Sequence, residues 1–137
     1  PLDAHCNEVV TRRMHEKACE YARMAYCAQQ QGRFWEANDY LFAHGRRREP
    51  VTVNELAGNI NINRKALASC VQSRAAARAI QEDLKAGRDL IVRGTPTFVI
   101  GKKIYPGRIP PDVLIKALGL EKEEIGTQET TTSRAAP

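Results

Sequence analysis

Gly94-Thr95-Pro96-Thr97-Phe98-Val99-Ile100-Gly101-Lys102-Lys103-Ile104-Tyr105-Pro106-Gly107 is the stretch whose reading sets the rest of the chain in order. Gly94, Thr95 and Pro96 end any helix that reaches them, and Thr97 to Ile100 is a β-branched and aromatic run that reads as a strand. Gly101 and Lys102 make a turn. Lys103 to Tyr105 is then the return strand of a hairpin, which Pro106 and Gly107 close. Pro110 and Pro111 start a last helix through Val113, Leu114, Ala117 and Leu118, with Gly119 placed where a left-handed residue is wanted.

Upstream of Gly94 the period is helical. From about Arg13 to Gln31, the residues Met14, Ala18, Tyr21, Ala22, Ala25 and Ala28 recur three and four apart, one buried stripe, and Gly32 follows as a stop. Phe34, Trp35, Tyr40, Leu41 and Phe42 form a second helical segment ending at Gly45, with the Phe34-Trp35 pair expected in the core rather than as a ligand platform. Thr52 and Glu55 form a capping box ahead of a short third helix at Leu56. Asn63 caps a fourth helix carrying Leu67, Cys70 and Val71, and Ser73 a fifth carrying Ala76, Ala77, Ile80 and Leu84 up to Gly87. Glu121 to Pro137 holds almost no apolar residue and reads as a tail.

The chain has 137 residues, room for one domain, and its 42% apolar and 27% charged residues exclude a fully disordered or collagen-like polymer. No apolar run approaches the roughly 20 residues of a membrane helix. Without an initiator Met or a basic-then-apolar leader, the chain reads as starting mid-sequence. A formal charge of +5 invites an acidic partner. However, Arg12, Arg13, Arg46, Arg47, Arg48, Arg74, Arg78, Lys85 and Arg88 are spread over several elements, and the few aromatics sit mostly in apolar positions. Nucleic acid is therefore not expected as a partner, and Arg46 to Arg48 reads as a solvated loop.

Several helices followed by Gly-Thr-Pro-Thr-Phe-Val-Ile-Gly-Lys, a hairpin and a closing helix resemble the second part of a thioredoxin-like domain of the DsbA class. The matching residues are Val92, Gly94, Thr95, Pro96, Thr97, Phe98, Gly101 and Gly107. Pro1-Leu2-Asp3, Cys6-Asn7, His15, Ala18-Cys19, Gln31 to Trp35 and Leu41-Phe42 are similar to the bacterial subgroup that also occurs fused to vitamin K epoxide reductase homologues. The resemblance covers roughly residues 1 to 118. It implies an α/β fold, a truncated thioredoxin-like domain over 1–120. Within it, a helical insertion subdomain spans about 7–90, and the cis-Pro loop, hairpin and final helix span 91–120. Residues 121–137 are expected to be the flexible tail.

That family carries its redox pair as Cys-x-x-Cys at the start of a helix, where the dipole and free amides stabilise a thiolate. No two of Cys6, Cys19, Cys27 and Cys70 are three apart. The resemblance therefore implies that the pair, the first strand and most of the second strand lie upstream of Pro1, and that this chain has no catalytic residue of its own. It implies a cis Thr95-Pro96 bond and assigns Thr95 and Pro96 to substrate binding, with the backbone of Thr95 pairing with an extended peptide. The expected function is part of a cell-envelope, periplasmic or otherwise extracytoplasmic, protein thiol-disulfide oxidoreductase needing no cofactor. Its partners would be substrate proteins with thiols or disulfides and a membrane quinone-linked redox partner. In such a sheet the strand at Thr97 loses a neighbour, so its open edge is expected to take either the missing N-terminal segment or a second copy of the chain. The competing classes are a non-catalytic helical interaction module and a zinc-stabilised domain.

Four cysteines in so short a chain fit an oxidising compartment. Cys19 and Cys27 are eight apart on one helix, roughly 12 Å along its axis, too far for a disulfide. Two patterns survive: Cys6 with Cys19 and Cys27 with Cys70, or Cys6 with Cys27 and Cys19 with Cys70. The first is favoured, because Asp3 to Asn7 can fold back on the first helix and Cys70 sits on an apolar face; Cys27 and Cys70 as buried free thiols remain the plain alternative. His5, Cys6, His15 and Cys19 include both ligand types zinc prefers, with His15 and Cys19 expected on one helical face. The compact double-Cys spacing of structural zinc is absent, so a surface His15 and a disulfide-bonded Cys19 are expected, with no metal.

Overall fold

Side chains that satisfy the first free amides decide where most helices begin in the computed structural model, which describes residues 1–11 and 15–120. Among these residues the order is α1 (Ala18–Gln29), α2 (Phe34–His44), α3 (Val53–Asn59), α4 (Arg64–Val71), α5 (Arg74–Asp89), β1 (Thr97–Ile100), β2 (Lys103–Pro106) and α6 (Pro111–Ala117). At α3 the capping box is complete, the Thr52 hydroxyl accepting from Glu55 N–H and the Glu55 carboxylate from Thr52 N–H. Asn63 Oδ1 accepts from Ala66 N–H at 2.9 Å and Ser73 Oγ from Ala76 N–H at 3.1 Å, starting α4 and α5.

Two boundaries differ from the periodicity. α1 starts at Ala18 and not at Arg13; Arg13 and Met14 lie outside the described residues, and Glu16 and Lys17 form a turn. Lys17 offers no side-chain cap, and the Asp3 carboxylate takes that role from a distance, Oδ2 accepting from Cys19 N–H at 3.2 Å. His15 thus precedes the helix and shares no helical face with Cys19. At the far end α5 runs through Gly87 to Asp89, because Ile80 and Leu84 hold it against the core and a glycine weakens a helix interior by only about 1 kcal/mol. It stops at Leu90, and Ile91 turns left-handed at φ 55°.

Residues Pro1–Ile91 form one compact unit. Its core joins Met24, Cys27 and Ala28 of α1, Ala37 and Leu41 of α2, Leu56 and Ala57 of α3, Leu67 and Val71 of α4 and Ala76 of α5, with Val51 and Ile60 from the connections. α1 touches α2, α4 and α5, so most of this burial is arranged around one helix. Gln31 fixes the end of that helix to the start of α4, its side chain accepting from Asn63 N–H at 2.9 Å and donating to Asn63 O at 3.4 Å. Tyr21 OH accepts from Val51 N–H at 3.0 Å and pins the α2–α3 connection.

The expectation that Phe34 and Trp35 enter the core fails for Trp35, which is 71% exposed, as Phe42 is at 80%. Ala37 and Leu41 are four apart and face α1, while Trp35 and Phe42 are seven apart on the opposite side of the same helix. Phe34 is half-buried and meets Trp35 edge to face, ring centroids 5.1 Å apart.

Gly45 ends α2 where no side chain fits. A Cβ there would lie 2.5 Å from the Leu41 carbonyl oxygen and 2.9 Å from the Tyr21 ring. Gly45→Ala is therefore expected to destabilise by roughly 1–3 kcal/mol, the usual cost of overpacking, measured as a lower urea midpoint.

Val92–Pro137 is a second unit. In it β1 and β2 pair antiparallel with Thr97 opposite Pro106, Phe98 opposite Tyr105, Val99 opposite Ile104 and Ile100 opposite Lys103. Gly101, at φ 60°, makes the turn, a conformation that costs glycine nothing. Among the described residues the sheet has these two strands alone, so the outer edge of β1 is unpaired. α6 carries Pro111 at its first turn and ends before Gly119, at φ 65°; none of its residues is buried.

Candidate functional site

Gly94, Thr95 and Pro96 form an exposed bend that leads into β1. The Thr95-Pro96 peptide bond is cis. Thr97 Oγ1 donates to Gly94 O at 2.6 Å across the bend, and Gly107 N–H donates to Pro96 O at 2.8 Å, so the loop is fixed at both its ends to the hairpin. Between those ties the N–H and C=O of Thr95 have no hydrogen-bond partner among the described residues. They are the donor and acceptor that an extended chain needs in order to add alongside.

Four cysteines form two bonds in the helical unit. Cys6 pairs with Cys19 across 13 positions and Cys27 with Cys70 across 43, with Cα–Cα distances of 6.0 and 5.7 Å. None is left free. With both Cys6 and Cys19 committed to a disulfide, the His5, Cys6, His15 and Cys19 set has no thiolate to offer a zinc ion.

Asp3 gave no sign in the sequence of what it does. It is 2% exposed, and its carboxylate accepts from His5 N–H at 3.0 Å, from the His5 ring nitrogen at 2.8 Å and from Cys19 N–H. Its backbone carbonyl accepts from Cys6 N–H and Asn7 N–H. A cap supplied from 16 residues upstream is invisible to any local pattern.

Burial works to raise the Asp3 pKa, but the hydrogen bonds from His5 and Cys19, with the electrostatic pull of His5, outweigh it and hold the carboxyl below its ordinary 3.8. A carboxyl with a lower pKa folded than unfolded adds stability above the unfolded value and loses it as pH falls through the folded one. Urea midpoints should therefore drop as pH falls below about 4, and Asp3→Asn should flatten that part of the curve while lowering stability at neutral pH.

Comparison with known proteins places these features. Residues 7–119 match the model of the DSBA-like thioredoxin domain. The chain is 30% identical over 94 residues to Na(+)/H(+) antiporter NhaA 3 of Salinispora tropica, covering 69% of this chain and 14% of that protein. It is 29% identical over 105 residues to Na(+)/H(+) antiporter NhaA 1 of Salinispora arenicola, covering 77% of this chain and 16% of that one. It thus spans about a seventh of the length of the curated relatives it matches. No solved structure matches it. No helix among the described residues is long and apolar enough to cross a membrane. Helices joined to a small antiparallel hairpin are what a truncated α/β thioredoxin-like fold leaves, and domains of this class act on thiols and disulfides and are typically extracytoplasmic. By a match over most of its length, the chain belongs to the DSBA-like thioredoxin domain family.

Proposed function

We propose that this chain supplies the substrate-binding side of a cell-envelope protein thiol-disulfide oxidoreductase, with the reactive Cys-x-x-Cys pair carried on residues outside it. The observation that carries the reading is Thr95, exposed and with both backbone polar groups unpartnered among the described residues. A substrate chain laid along Thr95 and Pro96 takes those two hydrogen bonds. A thiolate of the reactive pair then attacks a substrate disulfide, one substrate sulfur leaves with the electron pair and is protonated, and the second cysteine of the pair resolves the mixed disulfide. The substrate gains two electrons and two protons, and the pair ends oxidised.

The likeness to a stretch of two proteins named as Na(+)/H(+) antiporters supports a place at the cell envelope. Substrate proteins with thiols or disulfides are the primary partners; in the reverse direction the pair oxidises substrate thiols and ends as a dithiol, and a quinone-linked membrane protein re-forms its disulfide by passing the two electrons to the quinone. The unpaired edge of β1 suits either a further strand of the same protein or a second copy. A second reading, a helical interaction module without redox chemistry, draws on the exposed Trp35 and Phe42 of α2.

Thr95 separates these readings. In the full-length protein, Thr95→Pro removes the N–H donor and should lower kcat/KM for insulin reduction about tenfold, the worth of a well-made hydrogen bond. Thr95→Ala keeps the backbone donor and should leave the rate near that of the parent. Equal rates for all three proteins would contradict the assignment.

A further inference from the structure

The two disulfides sit in unlike surroundings. Cys27 is 1% exposed and belongs to the core around Met24, Leu56 and Leu67, against which Cys70 also packs. Cys6 and Cys19 lie outside that core. Cys6 sits half-buried in a turn, and Cys19 lines an open cleft of about 430 Å³ together with Asp3, His5, Lys17, Glu20 and Arg23.

We propose that Cys6–Cys19 is a second thiol-disulfide exchange site of this chain, opened by a dithiol and serving as a releasable latch on the segment that precedes α1. The inference is independent of the Thr95 loop. Three features favour it. First, neither cysteine belongs to the core cluster, and Cys6 is half-buried. Second, the two cysteines differ in access: Cys19 is 8% exposed whereas Cys6 is half-buried, so attack falls on Cys6. Third, Cys19 Sγ lies 3.6 Å from the Asp3 carbonyl oxygen, within reach of a sulfur hydrogen bond. In the disulfide that sulfur has no proton to donate, and reduction provides one, so the new thiol has an acceptor already in place.

One thiolate of the dithiol attacks Cys6 Sγ, the Cys6–Cys19 bond breaks, and Cys19 leaves with the electron pair and takes up a proton. The second thiol of the reagent, deprotonated, attacks the reagent's own sulfur in the mixed disulfide. Cys6 leaves and is protonated in turn. The dithiol ends as its disulfide and the protein pair gains two electrons and two protons. Among the described residues, the hydrogen bonds that then tie residues 1–11 to the helices are those of the Asp3 cap and the one from Gln81 Nε2 to Cys6 O at 2.8 Å, from an exposed side chain.

Timed exposure of the native chain to dithiothreitol, followed by acid quench, alkylation and peptide mass mapping, tests the proposal. Cys6 and Cys19 should become alkylated at least about tenfold faster than Cys27 and Cys70, with the helical circular dichroism unchanged, because reducing the second pair requires the core to open. Hydrogen exchange in the singly reduced state should then accelerate at residues 6–11 while the core amides of α1 and α4 stay protected. Alkylation of all four at one rate, or of Cys6 and Cys19 only as helical signal is lost, would overturn it. Fast reduction without faster exchange at residues 6–11 would overturn the latch.

Discussion

Replacing Cys27 and Cys70 together by alanine is expected to lower the stability of the helical unit by roughly 4 kcal/mol. The bond spans 43 positions, and a cross-link across a loop of that length removes that much chain entropy from the unfolded state. The corresponding figure for Cys6–Cys19, which spans 13 positions, is roughly 3 kcal/mol. Placement widens the gap. Cys27 lies among Met24, Leu56 and Leu67, so two alanines also leave a void between α1 and α4, whereas Cys19 loses only contacts at an open cleft. Against a total stability of about 5–15 kcal/mol for an ordinary domain, the first loss is a large share and the unit should approach its folding limit. Urea unfolding of the two double variants measures both numbers. A loss below about 1 kcal/mol for the Cys27 and Cys70 variant would mean that helix packing alone carries the unit.

Features set by a side chain near its own backbone were legible before any coordinates. Thr52, Asn63 and Ser73 each cap an amide three positions on, and Gly101 turns the hairpin from within it. Features set by distant partners were not. α1 begins where Asp3 reaches it, so periodicity alone started the helix too early. Trp35 and Phe42 show a different limit: α2 is apolar on two sides, and composition does not say which side meets α1. Gly87 reads as a stop, yet the burial of Ile80 and Leu84 and the Lys85–Asp89 ion pair carry α5 past it. The cysteines left two pairings open, and the close approach of α1 to α4 brings Cys27 to Cys70. At the candidate site, Thr95 and Pro96 stood out as a break before a strand. That the backbone groups of Thr95 are unclaimed is a matter of geometry, set by the ties from Thr97 to Gly94 and from Gly107 to Pro96.

The largest functional effect expected is the presence or absence of catalysis itself. Neither disulfide here has the Cys-x-x-Cys spacing, in which one sulfur opens a helix as a stabilised thiolate and the other, three residues on, resolves it. The chain alone should therefore reduce insulin no faster than a simple dithiol at equal thiol concentration, whatever the state of Cys6 and Cys19. A full-length protein that carries the proposed reactive pair should reduce it catalytically, by orders of magnitude over that background. Insulin reduction measured side by side for the isolated chain and the full-length protein is the most direct test of the account. Catalysis confined to the full-length protein is the predicted result. Catalysis by the isolated chain that tracked one of its four cysteines, or none by the full-length protein, would contradict it.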